Sequence, residues 1–389
     1  MSRLITAVEI DGAGAHPDAW RGAEVDPGAI LTGSLALRAV QRAEAAGVDI
    51  ATFADTLEAP ADEPGRVSVR LDALGLAARI APATSHIGLL PTITVTHTEP
   101  FHVQASVATL DHVSSGRGGW IADVSTSADA AAVIGRRAPA PATDLWREAR
   151  YVVDVSRHLW DSWDDDAIIR DAASGRFIDR DRLHYVDYEA PTFTIKGPSI
   201  VPRPPQGHPV TAVRVNTPEA LEAAAESDLV LLPGAENLAE RVERIRAAAR
   251  DGRSGGRAAS PRSHGAVSGG GAAMADSGSE PGAGGGGPRV LVSVAVLVDE
   301  DAAAAEARAA GGAFDYVGGV EGLVELVREW QVAGVDGVHF RPASLEVDLP
   351  VIAERVLPLL QASKPARVTT LRSRLGLGRP ANRYAEGAR

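Results

Sequence analysis

HIGLLPTITVTHTEPFHVQASVATLDHVSSGRGGWIADV, residues 86–124, carries a complete structural unit in one stretch. HIGLLPTI (86–93) is an apolar run of strand length, PFHVQASVATLDHV (100–113) places apolar residues at helical spacing, and WIADV (120–124) is a second short strand. The unit closes with SSGRGGWIADVSTS (114–127), where Gly116, Gly118 and Gly119 precede the strand and Asp123, Ser125, Thr126 and Ser127 end it. Glycine permits close backbone approach, and polar residues after a strand are a common seat of chemistry. The segment therefore reads either as a cofactor cradle or as one buried strand with a polar loop.

The same alternation extends in both directions. LITAVEI (4–10) reads as strand and 34–47 as helix, followed by VDIATFAD (48–55) and a helix over 69–80. After 120–124 comes a long helix over 145–163, then FIDRDRLHYVDYEAPTFTIKGPSI (177–200), whose alternating residues predict a hairpin. PVTAVRV (209–215), a helix from 218, DLVLLP (228–233) and a helix over 235–250 resume the pattern. VLVSVAVLV (290–298), helices over 300–311 and 319–333, VDGVHF (335–340) and a helix over 348–361 complete it. Eight consecutive strand–helix units predict a (β/α)₈ TIM barrel over a doubly wound open sheet, with function on the loops at the carboxyl ends of the strands. Those ends carry Asp11, Asp55, Thr92 to Thr98, Asp123 to Ser127, Asn216, Thr217, Gly234 and Arg341.

The expected layout is one barrel domain over 1–365 and a tail over 366–389. A glycine- and serine-rich insertion at 252–288, before the seventh strand, is too poor in apolar residues to offset its ordering entropy and is expected to be disordered. The tail could reach across to a neighbouring molecule, and a homo-oligomer is expected.

Composition excludes several functions. A formal charge of −12 disfavours nucleic acid and anionic membranes as partners. The absence of cysteine removes disulfides, thiolate metal sites and cysteine nucleophiles. Met1 to Ile10 reads as a strand and not as a leader, and no apolar run reaches membrane-spanning length, so a cytoplasmic location is expected. GAGGGGP is not followed by a helix, which fails the context of a nucleotide-binding loop. His97, His102 and His112 show no metal-ligand spacing, and no metal is expected. In DSWDDDA (161–167), Trp160 and Trp163 are expected to pack the helix end while Asp164 to Asp166 stay solvated.

Two features remain for chemistry. Asp55 ends the second strand and could accept hydrogen bonds from a ligand or stiffen a loop. Thr92, Thr94 and Thr96 share one face of an extended chain, suited either to a planar heterocycle or simply to β-structure.

AWRG (19–22), TFADTLEA (52–59), TEPFHVQASVATLDHVSSGRGGW (98–120) and HLWDSWDDDA (158–167) resemble the bacterial luciferase-like flavin-dependent monooxygenases. FTIKGPSIVPRPPQGHPV (193–210), AGVDGVHF (333–340), VLPLLQ (356–361) and TLRSRLGLGRPANRY (370–384) extend the likeness, which is greatest to the nitrilotriacetate, dibenzothiophene-sulfone and pristinamycin monooxygenase branch. The resemblance implies a luciferase-like barrel taking reduced FMN from a separate NAD(P)H:flavin reductase, then using O2 to oxidise a small organic substrate. It implies cofactor contacts at Asp55, at Thr92, Thr94 and Thr96 beside the ring, and at Asn216 and Thr217 in the turn that gathers phosphate.

Four departures accompany it. Ile121 replaces an asparagine, and Ala142, Leu145 and Trp146 replace the His, Arg and Tyr of an HxxRY pattern. Val215-Asn216-Thr217 replaces a Gly-x-Ser turn, and the insertion that covers the substrate is much reduced. No catalytic acid or base is assigned. A deazaflavin-dependent oxidoreductase and a noncatalytic partner to an active relative are the alternatives.

Overall fold

The computed structural model describes residues 3–22, 28–58, 69–234, 237–254, 287–360 and 369–385. Eight strands form its centre: β1 (Ile5–Ile10), β2 (Ile50–Phe53), β3 (Gly88–Thr94), β4 (Gly119–Asp123), β5 (Val210–Arg214), β6 (Leu229–Pro233), β7 (Arg289–Asp299) and β8 (Gly337–Pro342). Each pairs in parallel with the next, and β8 pairs with β1, which closes the ring. The structure is the expected (β/α)₈ barrel and not an open sheet. Its strands read as apolar runs because both faces are covered. Val8, Ala51, Phe53 and Leu89 pack outward on the helices, while Ile5, Ala7, Ile50, Leu90, Ile121, Val210, Ala212, Leu229, Leu231 and Leu291 fill the lumen.

The main helices are α1 (Ser34–Ala45), α2 (Ala73–Ile80), α3 (Pro100–Val113), α4 (Ala142–Asp161), α5 (Leu221–Ala225), α6 (Leu238–Ser254) and α7 (Val320–Val332). α2 starts later than the apolar spacing predicts, because Asp72 caps it by accepting the Gly75 N–H at 2.6 Å. Between α4 and β5 lie two small hairpins, Ile168–Asp171 with Arg176–Ile178 and Tyr188–Glu189 with Thr194–Ile195. A short strand, Tyr316–Gly319, pairs with the end of β7 where only helix and loop were expected. Of the 252–288 insertion, residues 255–286 lie outside the described residues.

The glycines of SSGRGGW sit at the amino end of β4, remote from the barrel mouth. A Cβ on Gly118 would lie 2.7 Å from the Asp111 backbone, and one on Gly119 would lie 2.7 Å from the Val210 carbonyl oxygen. They let α3 and β5 press against β4. Arg117, buried between them, donates to the carbonyl oxygens of Ala81, Thr84, Ile87 and Ser114 and to Thr84 Oγ1. The stretch is a packing joint, and its polar tail alone reaches the mouth.

Residues 369–385 are not a tail reaching outward. Leu371 and Leu375 enter the lumen cluster from the amino end of the barrel. Arg372 donates to the His208 carbonyl at 2.9 Å and to Asp228 Oδ2 at 2.6 Å. Arg383 pairs with buried Asp161 at 3.1 Å, and Arg379 holds both oxygens of Asp165 at 2.7 and 2.9 Å. Asp165 and Asp166 stay exposed to solvent as expected and Asp164 is partly buried, but all three are also paired. Asp165 anchors this segment, Asp164 meets His184 at 3.0 Å, and Asp166 meets Arg182 at 2.9 Å. Trp160 and Trp163 are buried beside them as expected.

No described helix is long and apolar enough to cross a membrane.

Candidate active site

Along every lumen-facing row except that of β6, where Leu229 and Leu231 stay apolar, the side chains change from apolar to polar toward the carboxyl ends of the strands. Alternation gives Ile5, Ala7 and Glu9 on β1, Ile50 and Thr52 on β2, and Leu90, Thr92 and Thr94 on β3. It continues with Ile121 and Asp123 on β4, Val210, Ala212 and Arg214 on β5, Leu291 and Ser293 on β7, and His339 and Arg341 on β8. The mouth is a polar cup on an apolar plug.

His339 lies at the cup's base between two hydroxyls, with Thr52 Oγ1 2.8 Å from Nε2 and Ser293 Oγ 2.9 Å from Nδ1. Burial, with Arg214 and Arg341 nearby, pushes it down to about 3, so the imidazole is neutral. Glu9, 5% exposed, accepts from Arg341 Nε at 2.6 Å and from Arg214 at 2.8 Å. Burial alone would raise its carboxyl, but Arg214, His339 and Arg341 outweigh that and hold it down to about 2. β1 and β5 stand on opposite walls of the eight-stranded ring, so the Glu9–Arg214 bridge crosses the lumen.

Two further carboxyls rim the cup. Burial raises both Asp11 and Asp123, against nearby arginines and, for Asp123, a hydrogen bond from the Val124 N–H. Asp11 also faces Arg70 at 3.7 Å.

The residues singled out from the sequence fall in three places. Thr92 and Thr94 line the lumen, and the buried Thr92 Oγ1 has no hydrogen-bond partner among the described residues. Thr96 lies beyond the end of β3, where its Oγ1 accepts the Ser125 N–H at 2.9 Å and ties two loops together. Asp55 lies two residues past β2 and accepts from the Thr56 and Ala73 N–H groups at 2.8 and 2.9 Å. Of its two sequence readings, loop stiffening is the one these bonds display; burial raises its carboxyl.

Asn216 and Thr217 are exposed outside the lumen. With Val215, Leu232, Arg241 and Arg244 they line a cleft of about 180 Å³ between the carboxyl ends of β5 and β6. Arg241 donates to the Pro233 carbonyl at 2.9 Å, and neither arginine pairs with a carboxylate among the described residues. Burial and then the like charge of Arg244 lower Arg241. The cleft is electropositive.

Glu9, Arg214 and His339 were missed in the sequence. Their signal was a charged or polar residue on the lumen face of an apolar strand, as in LITAVEI and PVTAVRV. The departures have plain packing consequences: Ile121 is fully buried in the lumen, and Trp146 packs in the cluster outside β4 to β7. Among the described residues no three His, Asp or Glu side chains gather as a metal site.

Buried neutral histidines give the fold a pH dependence. His208, 3.0 Å from Asp161, is pushed down to about 4 by burial. Once unfolded, it and His339 would bind protons below the ordinary value of 6.5, so the stability they contribute is lost as pH falls toward 4 and 3. Asp111, raised by burial to about 6, acts oppositely, its contribution being lost as pH rises from 3.8 to 6. Asp11, Asp55, Asp123 and Asp348, also raised by burial, act in the same direction as Asp111, so the histidine contribution is read by comparison with a variant. The thermal midpoint should drop more in wild type than in His208→Gln as pH is lowered from 6.5 to 4; equal changes in the two proteins contradict the assignment.

A closed barrel with a polar cup at the carboxyl ends of its strands is the architecture of barrel enzymes. The family model described as luciferase-like monooxygenase matches residues 16–328, and the chain belongs to that family. It is 39% identical over 202 residues to one of the pristinamycin IIA synthase polypeptides of Streptomyces pristinaespiralis, covering 52% of this chain and 63% of the relative. It is 32% identical over 242 residues to a nitrilotriacetate monooxygenase component of Aminobacter aminovorans, covering 59% and 53%. The chain thus spans between half and two thirds of the length of these curated relatives. Among solved structures, EDTA monooxygenase from Chelativorans sp. BNC1 has a TM-score of 0.78 at 19% identity, covering 97% of this chain and 99% of that one, a likeness of fold.

Proposed function

We propose that the protein is a flavin-dependent monooxygenase that takes reduced FMN from a separate NAD(P)H:flavin reductase and oxidises a small organic substrate with O2. A cytoplasmic location and a homo-oligomeric state belong to the same reading. The observation that carries it is Thr92 Oγ1, a buried hydroxyl without a partner inside the polar mouth of a barrel of this family. Such a group is costly unless a ligand completes it.

The residues present fit a flavin. Thr92 and Thr94 would hold the edge of the ring, and the cleft of Asn216, Thr217, Arg241 and Arg244 would hold the phosphate, replacing the contacts that the altered HxxRY and Gly-x-Ser positions no longer provide. When bound, reduced flavin supplies the electrons that activate oxygen. The chain's part is to orient and to exclude water. The apolar plug below and Glu9, Arg214 and His339 above it give a fixed, preorganised floor. Neutral His339 holds Thr52 and Ser293 in place; it stands too deep to act as an acid at neutral pH.

Arg241→Gln combined with Arg244→Gln should weaken FMN binding about 10- to 100-fold and leave riboflavin binding unchanged, since a charged hydrogen bond contributes on the order of 1.5–3 kcal/mol. Fluorescence titration of both flavins measures it. An unchanged FMN affinity, or an equal loss for riboflavin, removes the phosphate assignment.

A further inference from the structure

Two arginines meet one carboxylate at the floor of the mouth. Glu9 uses both oxygens, one on Arg341 Nε and one on an Arg214 terminal nitrogen. Arg341 Nη1 and Nη2, and Arg214 Nε and its other terminal nitrogen, have no hydrogen-bond partner among the described residues. The Arg341 side chain is 38% exposed and that of Arg214 14%. Asp11 and Asp123 come near but make no ion pair with either guanidinium, and Asp11 is answered by Arg70.

We propose that Arg214 and Arg341, aimed by Glu9, form a binding site for a carboxylate of the substrate. The proposal rests on the mouth being the active site and adds the substrate's chemical class.

The first support is cost. A buried ion triad is no more stabilising than apolar side chains of similar volume, and the layer just below is filled with Ile, Leu, Val and Ala. Stability alone gives no reason for Glu9 on the lumen face. The second is geometry. Glu9 draws Arg214 across the lumen from β5 and Arg341 inward from β8, so one carboxylate brings both guanidinium groups together with donors to spare. The planar guanidinium fork matches a carboxylate, and holding one edge fixed leaves the other preorganised. The third is charge. Asp11, Asp123 and Asp315 also act on these guanidinium groups and offset part of their spare positive charge, so a ligand carboxylate would be drawn chiefly to the N–H donors that no carboxylate has taken.

The test is calorimetric titration of the full chain with succinate and with its neutral analogue succinamide, each with and without reduced FMN under anaerobic conditions. Wild-type protein should bind succinate saturably and ignore succinamide. Arg341→Gln should weaken succinate about 10- to 100-fold. Arg341→Lys, which keeps the charge and loses the fork, should fall between. Unchanged thermal unfolding of either variant shows that the fold survives.

Equal behaviour of succinate and succinamide overturns the site, as does wild-type affinity for succinate in both variants. If Arg341→Gln instead removes the preference for FMN over riboflavin, the anion held is the cofactor's phosphate and the proposal fails. A protein that binds reduced FMN and ignores succinate loses the carboxylate site alone. One that binds succinate through Arg341 but binds no flavin loses the flavin reading alone.

Discussion

Leu371→Asp is expected to leave little folded protein, and Leu371→Ala to cost about 3 kcal/mol in denaturant unfolding. Leu371 is fully buried in the lumen cluster with Ile5, Ile50, Leu90 and Val210, on a segment remote in sequence from all of them. The barrel wall is shaped around it: a Cβ on Gly88 would lie 2.7 Å from a Leu371 methyl. Truncation to alanine opens a cavity that surrounding β-strands cannot collapse to fill. Aspartate puts a charge among the apolar side chains of that cluster, and burying an unpaired charge is far more costly than losing methyl groups. The adjacent Arg372 bridges to Asp228 and holds the plug in register. An unfolding midpoint for Leu371→Ala equal to wild type would mean that the segment only rests against the barrel.

The second large effect belongs to Glu9. Glu9→Ala should destabilise by about 3–5 kcal/mol, because it strands Arg214 and Arg341 near each other with their shared counter-charge removed. Changing all three to apolar residues should recover much of that loss, since a buried ion group is roughly neutral against well-packed apolar replacements. The recovered protein would be stable and unable to bind succinate, which separates the structural from the binding role of the triad. Acid offers an independent check. The Glu9 carboxyl, held down to about 2 from 4.5, contributes stability that is full above 4.5 and lost as pH falls toward 2. Glu9→Gln should therefore flatten that part of the unfolding profile.

All eight barrel strands were legible because a parallel strand covered on both faces is a continuous apolar run, and each run here is followed by a helical period. The plug was not. TLRSRLGLGRP mixes arginine, glycine and proline, the composition of a surface tail, and only Leu371 and Leu375 enter the barrel. Nothing local marks them, since their partners on the barrel strands lie 80 or more residues earlier. The anchoring role of exposed Asp165 was hidden for the same reason: nothing local shows that the distant Arg203 and Arg379 arrive at it.

At the site, alternation placed Thr92 and Thr94 correctly on one face. Thr96 lies beyond the last paired residue of β3, where the period of two no longer governs direction. The ionic floor lay in plain view as charged residues within apolar strands, but only closure of the ring brings β8 beside β1 and sets β5 across the lumen from it.

Anaerobic titration of the purified chain with reduced FMN, in parallel with riboflavin and a deazaflavin, tests the central claim most directly. Saturable binding of reduced FMN well below ~1 mM, with riboflavin weaker and the deazaflavin weaker still, is the predicted result. No binding of any of the three up to ~1 mM would contradict it and leave a barrel of this family that has given up its cofactor.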